Sequence, residues 1–406
     1  MKESDKVEIF KKLIGFKSIN GHELPVAQYL HSLFEDAGIA SQVLPLPEDD
    51  RANLVAEIGS GKPILAISGH MDVVDVSLEN WNTDPFVLTA QGDRFYGRGA
   101  TDMKAGLAAM VIALIELKQE QVPIPGTIRF LATAGEEVGQ AGAQALQQAG
   151  YMKDVDTLLI GEPSGFRAVY ANKGEINFNI QVTGRAAHSS MPALGINAVE
   201  NLLKFLYELN DTLRPLVAQK SNPLLGETVV NIDQINGGTQ PNAIPGSAQA
   251  VLNVRIIPEF DNQQIKQVVA DLVDQFNQQN QAQVKVTTDM DIIPILGRVD
   301  SKIIKLIQQV ALPYLQKQDY NAAEIQQMQK MADASGIDFA TDHIVTVGVS
   351  GGTDASQLLI DHPNDANYVV FGPGNDNSHQ DNEYITQQMF FDFIDIYHEL
   401  FIKFFQ

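Results

Sequence analysis

Between residues 53 and 160 the chain repeats one alternation. Short apolar runs at 53–58, 63–68, 127–133 and 157–160 are each bounded by Gly or Pro, and an Ala- and Leu-rich helical stretch occupies 103–120. Strand-like runs alternating with helices point to an α/β sheet covered by helices. Ahead of them, residues 23–37 space their apolar side chains at helical intervals and end at Gly38, a helix C-cap. Near Lys173 the rhythm changes to strand 176–182, helix 197–209, strands 228–235 and 248–257, helix 262–277 and strand 283–288. That order reads as a compact α+β block with both helices on one face of a mainly antiparallel sheet. After about residue 294 the first style returns, with helices at 301–315 and 321–335, strands at 344–349 and 368–371, and a closing helix at 385–405. The sequence therefore predicts an α/β core domain with a mixed sheet covered by helices. It is made of residues 1–174 and 291–406 and is interrupted by an inserted α+β domain at 175–290.

Composition narrows the chemistry. The 406 residues are 44% hydrophobic and 19% charged, apolar enough to bury a core. With no cysteine, disulfides, thiolate nucleophiles and Cys-ligated zinc are excluded, so any metal must be held by the eight histidines and by carboxylates. The net charge of −22 argues against a general nucleic-acid or anionic-membrane surface, which needs clustered Lys and Arg. No apolar signal core opens the chain and no window is long enough for a membrane span, so the expected compartment is the cytoplasm. The Gln-rich stretch 263–283 keeps helical apolar spacing and reads as a solvated helix face.

Five clusters carry residues capable of chemistry, each at the end of an expected core-domain element. S-G-H-M-D-V-V places His70 and Asp72 two apart, on one side of an extended segment. Asp72 can then accept the second ring N–H of a metal-bound His70, or His70 is simply a satisfied polar residue. In G-R-G-A-T-D-M-K, Asp102 precedes the long helix and reads either as its N-cap or as a carboxylate bridging two cations. In A-T-A-G-E-E-V-G, the adjacent Glu136 and Glu137 are either a solvated loop tip or a pair whose repulsion a cation relieves. L-L-I-G-E-P-S puts Glu162 where an apolar strand leaves the core, a recurrent site position in open α/β sheets. The polar loop G-N-D-N-S-H-Q-D-N-E carries His379.

Together His70, Asp102, Glu137, Glu162 and His379 suit two borderline divalent ions such as zinc. Two cations roughly 3.5–4 Å apart would lower the pKa of a shared water toward ~7 and polarise a substrate carbonyl. Glu136 is then the general base, and later the acid that protonates a leaving amine. The reaction expected is amide hydrolysis. A serine triad is disfavoured because no G-x-S-x-G elbow occurs.

With these motifs in place, the whole chain resembles the co-catalytic zinc metallohydrolases. That family includes aminoacylases, acetylornithine deacetylase, succinyl-diaminopimelate desuccinylase and related carboxypeptidases and dipeptidases. The resemblance implies that His70 and Glu162 hold one zinc, Glu137 and His379 the other, and that Asp102 bridges them. It also implies that Asp72 supports His70, that Glu136 is the general base and that the Asp102–Met103 peptide is cis. By the same likeness the inserted block is a lid and dimerisation domain, so the chain is expected to be a homodimer. His188 in G-R-A-A-H-S-S would reach a neighbouring subunit's site and stabilise an oxyanion. Asn242 in T-Q-P-N-A-I-P and Arg255 in L-N-V-R-I-I-P match positions that hold substrate carboxylates and carbonyls, and Gly352 and Thr353 in S-G-G-T-D-A-S match a further substrate-binding loop of the core. The alternative for Arg255 is a surface strand cation. Ala105 stands where many relatives have Gly, with no expected consequence for metals.

Glu rather than Asp at position 162 resembles the N-deacylating members. The motif wording looks most like the succinyl-diaminopimelate desuccinylases, with acetylornithine deacetylase next and a cytosolic dipeptidase or aminoacylase as rivals. A non-catalytic binding homologue would have lost ligands or base, and none is missing. The expected partner is a small N-acyl amino acid, not nucleic acid or membrane, and the expected cofactors are two zinc ions, with cobalt as the alternative. An anionic substrate approaching a chain of −22 needs a positive local field, expected from the two cations and Arg255.

Overall fold

The computed structural model describes residues 1–48, 50–318, 320–375 and 377–406, and only the backbone of residues 324 and 335. It divides into two compact units. The first comprises Met1–Tyr170, Leu296–Gly348 and Thr353–Gln406, the second Ala171–Ile295 and Val349–Gly352. The second unit thus includes a four-residue segment from the C-terminal part of the chain. Gly352, expected in the core, belongs to it, whereas its neighbour Thr353 belongs to the first unit.

The first unit is built on a mixed sheet. Its order runs Ala40–Pro45, Ala52–Gly59, Thr127–Thr133, Ile64–His70, Thr157–Pro163, Tyr368–Gly372 and Arg167–Asn172. Four adjacent strands, Thr127–Thr133, Ile64–His70, Thr157–Pro163 and Tyr368–Gly372, are mutually parallel. Their side chains are buried almost throughout, the expected pattern for parallel strands covered on both faces. The helix Lys104–Gln119 is buried from Lys104 to Leu117 and so lacks the polar stripe of a surface helix. Its Gly106 permits close approach to the sheet, since a Cβ there would lie 2.1 Å from the Gly161 carbonyl oxygen. Ala105 is buried beside it. The Asp102–Met103 peptide is cis.

One local expectation is corrected. Residues 385–386 belong to a strand, Tyr384–Thr386, that pairs with Arg94–Tyr96, and the closing helix is Gln387–Phe404, capped by the Thr386 hydroxyl. The chain opens on a helix, Glu3–Gly15, that buries Ile9, Phe10, Leu13 and Ile14.

The second unit pairs Val229–Gly237, Ser247–Ile256, Gly174–Thr183 and Gln283–Ile292 in that order, all antiparallel. Alternate residues Ile176, Phe178, Ile180 and Val182 share one core with Leu252 and Val254, with Leu202, Phe205 and Leu209 of helix Ala198–Val217, and with Ile265, Val269 and Phe276 of helix Asn262–Gln279. Period-two burial along the strands places both helices on one face. Among the described residues no helix is long and apolar enough to cross a membrane.

Candidate metal centre

Because four neighbouring strands run parallel, their carboxyl ends meet at one edge of the sheet, where open α/β folds place their sites. His70 is the last residue of Ile64–His70 and stands in register with Thr133. Glu136 and Glu137 form the short turn just beyond Thr133, Glu162 is the penultimate residue of strand Thr157–Pro163, and the loop after Tyr368–Gly372 delivers His379. Asp376 of that loop lies outside the described residues.

These groups converge. His70 Nε2 is 3.0 Å from Asp102 Oδ1 and 3.4 Å from Glu162 Oε1, while His379 Nε2 is 2.9 Å from Glu137 Oε1 and 3.4 Å from Asp102 Oδ2. The two oxygens of Asp102 therefore face different imidazoles. Donor atoms of His70, Asp102 and Glu137, and likewise of His70, Glu136 and Glu162, lie within 4.8 Å of one another.

Asp72 departs from its expected geometry. The nearest partner of His70 Nδ1 is the Asp72 backbone carbonyl at 3.0 Å, with the carboxylate 3.6 Å away. That carboxylate also accepts the backbone N–H groups of Gly135, Glu136 and Glu137 at 3.0, 3.1 and 3.1 Å. The carbonyl still fixes the tautomer with Nε2 free for a metal. The carboxylate sets the turn that carries Glu136.

Crowded like charges perturb the carboxyl groups. Burial raises Glu162 to about 8, with the neighbouring Asp102 and Glu137 adding to the rise. Burial and Glu162 hold Glu136 well above the usual carboxylate range. Burial opposes the His70 imidazolium, but Glu162, Asp102 and Asp72 outweigh it and raise its pKa well above the ordinary value. Two divalent cations would balance the four carboxylates of Asp102, Glu136, Glu137 and Glu162, and the nitrogen and oxygen donor set suits ions of the zinc type. The residues present therefore fit such a pair.

Sequence reasoning passed over two buried carboxyls. Asp354 Oδ2 accepts the Thr133 hydroxyl at 2.5 Å, and burial raises its pKa to about 7. It stands in the S-G-G-T-D-A-S segment, whose Thr353 is itself buried with its hydroxyl 3.2 Å from Tyr368 Oη. Glu383 ends the quoted His379 loop. A charged residue inside a motif was the available signal in both cases.

The second unit holds the remaining candidates. Ala187–His188 pairs with Ala243–Ile244, and Ser189 donates its N–H to the Asn242 carbonyl, so His188 and Asn242 share one small ribbon. His188 is exposed, with Nδ1 accepting the Ser190 N–H at 3.2 Å. Arg255 lies in register with Glu175, and its Nη1 pairs with Glu175 Oε2 at 2.6 Å. Its charge is thus matched within the unit, which weakens its expected part in a positive local field.

A parallel-sheet edge with two imidazoles flanking one carboxylate is a donor set for a pair of cations. The model of peptidase family M20/M25/M40 matches residues 66–403. A Staphylococcus aureus protein named "Probable succinyl-diaminopimelate desuccinylase" is 38% identical over 426 aligned residues, covering 99% of this chain and 98% of that one. An acetylornithine deacetylase of Buchnera aphidicola is 32% identical over 281, covering 65% and 71%. The solved M20 metallo-carboxypeptidase of Sulfolobus solfataricus shares the fold, with a TM-score of 0.77 at 19% identity over 100% of this chain and 99% of that one. The chain belongs to the peptidase M20/M25/M40 family and is a metal-dependent amide hydrolase.

Proposed function

We propose that this chain is a two-cation N-deacylase that hydrolyses N-succinyl-LL-2,6-diaminopimelate to succinate and LL-2,6-diaminopimelate. The observation that carries the chemistry is Asp102, whose oxygens face His70 and His379 separately. The substrate rests on likeness. The relative named a desuccinylase matches over nearly the whole chain, the deacetylase over two-thirds of it at lower identity. Glu162 at the fourth ligand position agrees with deacylation.

In this reading His70 and Glu162 would hold one ion and Glu137 and His379 the other, with Asp102 available to both. A bound pair of divalent cations, zinc or alternatively cobalt, would supply Lewis acidity there. Glu136 takes a proton from the attacking water as its oxygen adds to the carbonyl carbon, then delivers the proton to the departing nitrogen as the C–N bond breaks. Asp72 keeps Glu136 in place through the backbone of its turn.

His188 stabilises the developing oxyanion from a second subunit, the inserted unit acting as lid and dimerisation surface. Asn242, Arg255, Gly352 and Thr353 receive the substrate's carboxylates and carbonyls. The enzyme works in the cytoplasm on a small N-acyl amino acid.

The test is a panel of N-succinyl-diaminopimelate, N-acetylornithine, other N-acyl amino acids and dipeptides, compared by kcat/KM with zinc added. The succinyl substrate is expected to lead. A faster rate on N-acetylornithine or a dipeptide would overturn the substrate assignment. Absence of turnover on every compound by protein holding both ions would favour the binding homologue.

A further inference from the structure

The two halves of the candidate centre are anchored unequally. His70 and Glu162 sit in buried strands paired on both sides. Asp102 and His379 sit on loops, and the His379 side chain is 53% exposed. His379 also has φ 63°, a region unfavourable for a residue bearing Cβ unless its surroundings hold it there.

Glu383 meets that requirement. It is fully buried, and its two oxygens accept from one loop. Oε1 takes the N–H groups of Thr101 at 2.7 Å and Asp102 at 2.9 Å, and Oε2 takes the Gly99 N–H at 3.2 Å and Arg98 Nη1 at 2.6 Å. Its own carbonyl accepts the Gly97 N–H, and the Thr101 hydroxyl donates to the Tyr384 carbonyl at 2.7 Å. Arg98, 2% exposed, reaches further, donating to the carbonyls of Gln380 at 3.3 Å and Asp75 at 3.4 Å. One buried ion pair therefore ties together the segment after His70, the loop that presents Asp102 and the residue that follows His379. A buried carboxylate is tolerated only when its lone pairs are satisfied, and here every donor comes from the loop that must be fixed.

We infer that Glu383, braced by Arg98, is a positioning residue for the second cation: it fixes the backbone amide of Asp102 against the turn carrying His379. The inference rests on the two-ion reading above. Losing the brace loosens the loop-borne donors, Asp102 and His379, while the strand-borne pair, His70 and Glu162, stays in place.

Glu383→Gln tests it. The substitution keeps shape but turns an NH2 group toward backbone N–H donors. Metal-free wild type and variant are titrated with Zn²⁺ and with Co²⁺ by calorimetry, the cobalt also by its visible spectrum. Wild type is expected to bind two ions. The variant is expected to bind the first within about threefold of wild type and the second about 10–100-fold more weakly, the usual size of an outer-shell effect. Glu383→Asp, which keeps the charge on a shorter arm, should recover part of the loss. If Glu383→Gln does not fold, Arg98→Lys takes its place, since it retains the charge and loses the reach to Gln380 and Asp75. Leu30→Ala, a core truncation in helix Leu24–Asp36, is the control for general destabilisation.

Both ions bound by Glu383→Gln within threefold of wild type would overturn the inference. So would equal weakening of both ions, or the same loss in Leu30→Ala. Wild type that takes up one ion only would instead overturn the two-ion reading.

Discussion

His70 and His188 are the histidines that begin the candidate chemistry of the two units, and their settings contrast. His70 is 1% exposed at the end of a buried strand, with Nδ1 fixed by a backbone carbonyl and Nε2 facing two carboxylates. His188 is exposed on a two-residue ribbon, with Ser190 against its Nδ1. The first unit's sheet fixes the donors before any substrate arrives. The second unit's groups are set by short local pairing, so their part in the reaction depends on what they meet. Preorganised donors act on the chemical step, whereas adaptable ones act through the bound substrate.

Substituting each side in turn separates them. The largest effect is expected at Glu136. Glu136→Gln should lower kcat by about 10²–10⁴-fold with metal content unchanged, and near-normal kcat would remove it as the base. Next comes His188→Ala, expected to lower kcat by about 10²–10³-fold while both ions stay bound. If His188 acts across a dimer, mixing inactive His188→Ala and Glu136→Gln subunits should restore part of the activity. No recovery from verified heterodimers would end the trans role. The smallest kinetic effect is expected at Arg255. Because Glu175 already matches its charge, Arg255→Glu should raise KM by roughly tenfold, the scale of one lost charged contact, at unchanged metal content. Unaltered KM would make Arg255 a structural partner of Glu175.

What the sequence revealed follows the same division. Gly- and Pro-bounded apolar runs marked the parallel strands, and a charged residue at each strand end marked His70, Glu136, Glu137 and Glu162. Local pattern sufficed there because strand direction alone brings those ends together. Asp72 was found with half of its role: alternation put its side chain on the side of His70, where the carboxylate lies 3.6 Å from Nδ1, but not the three backbone N–H donors of a turn distant in sequence that share the same carboxylate. Glu383 and Asp354 were invisible as functional groups because their partners, Asp102 and Thr133, lie 281 and 221 residues away. No local spacing encodes such a pairing. The ion pair of Arg255 with Glu175 required strand register, which alternation does not supply.

The sharpest thermodynamic consequence of the contrast concerns protein stripped of metal. Glu162 at about 8 and Asp354 at about 7 lie above their unfolded values because both are buried. The folded state therefore binds protons that the unfolded state has released, and stability falls as pH rises through this range. His70, also raised, contributes in the same direction. Asp72 and Asp102 are lowered, so the stability they confer is complete by pH 5 and adds no slope. Burial lowers Lys104 to about 7, which opposes the trend only at higher pH. Between pH 5 and 7 the melting temperature of the metal-free protein should thus drop, by a few degrees at about 1–2 °C per kcal/mol for a chain of this length. Adding two equivalents of zinc should flatten the profile, because cations replace protons among the carboxylates, and Glu162→Gln should reduce the slope without metal. Calorimetry across that range measures both. A metal-free protein whose melting temperature is constant or rising from pH 5 to 7 would show that the first unit does not hold its carboxylates under the strain that cations are needed to relieve.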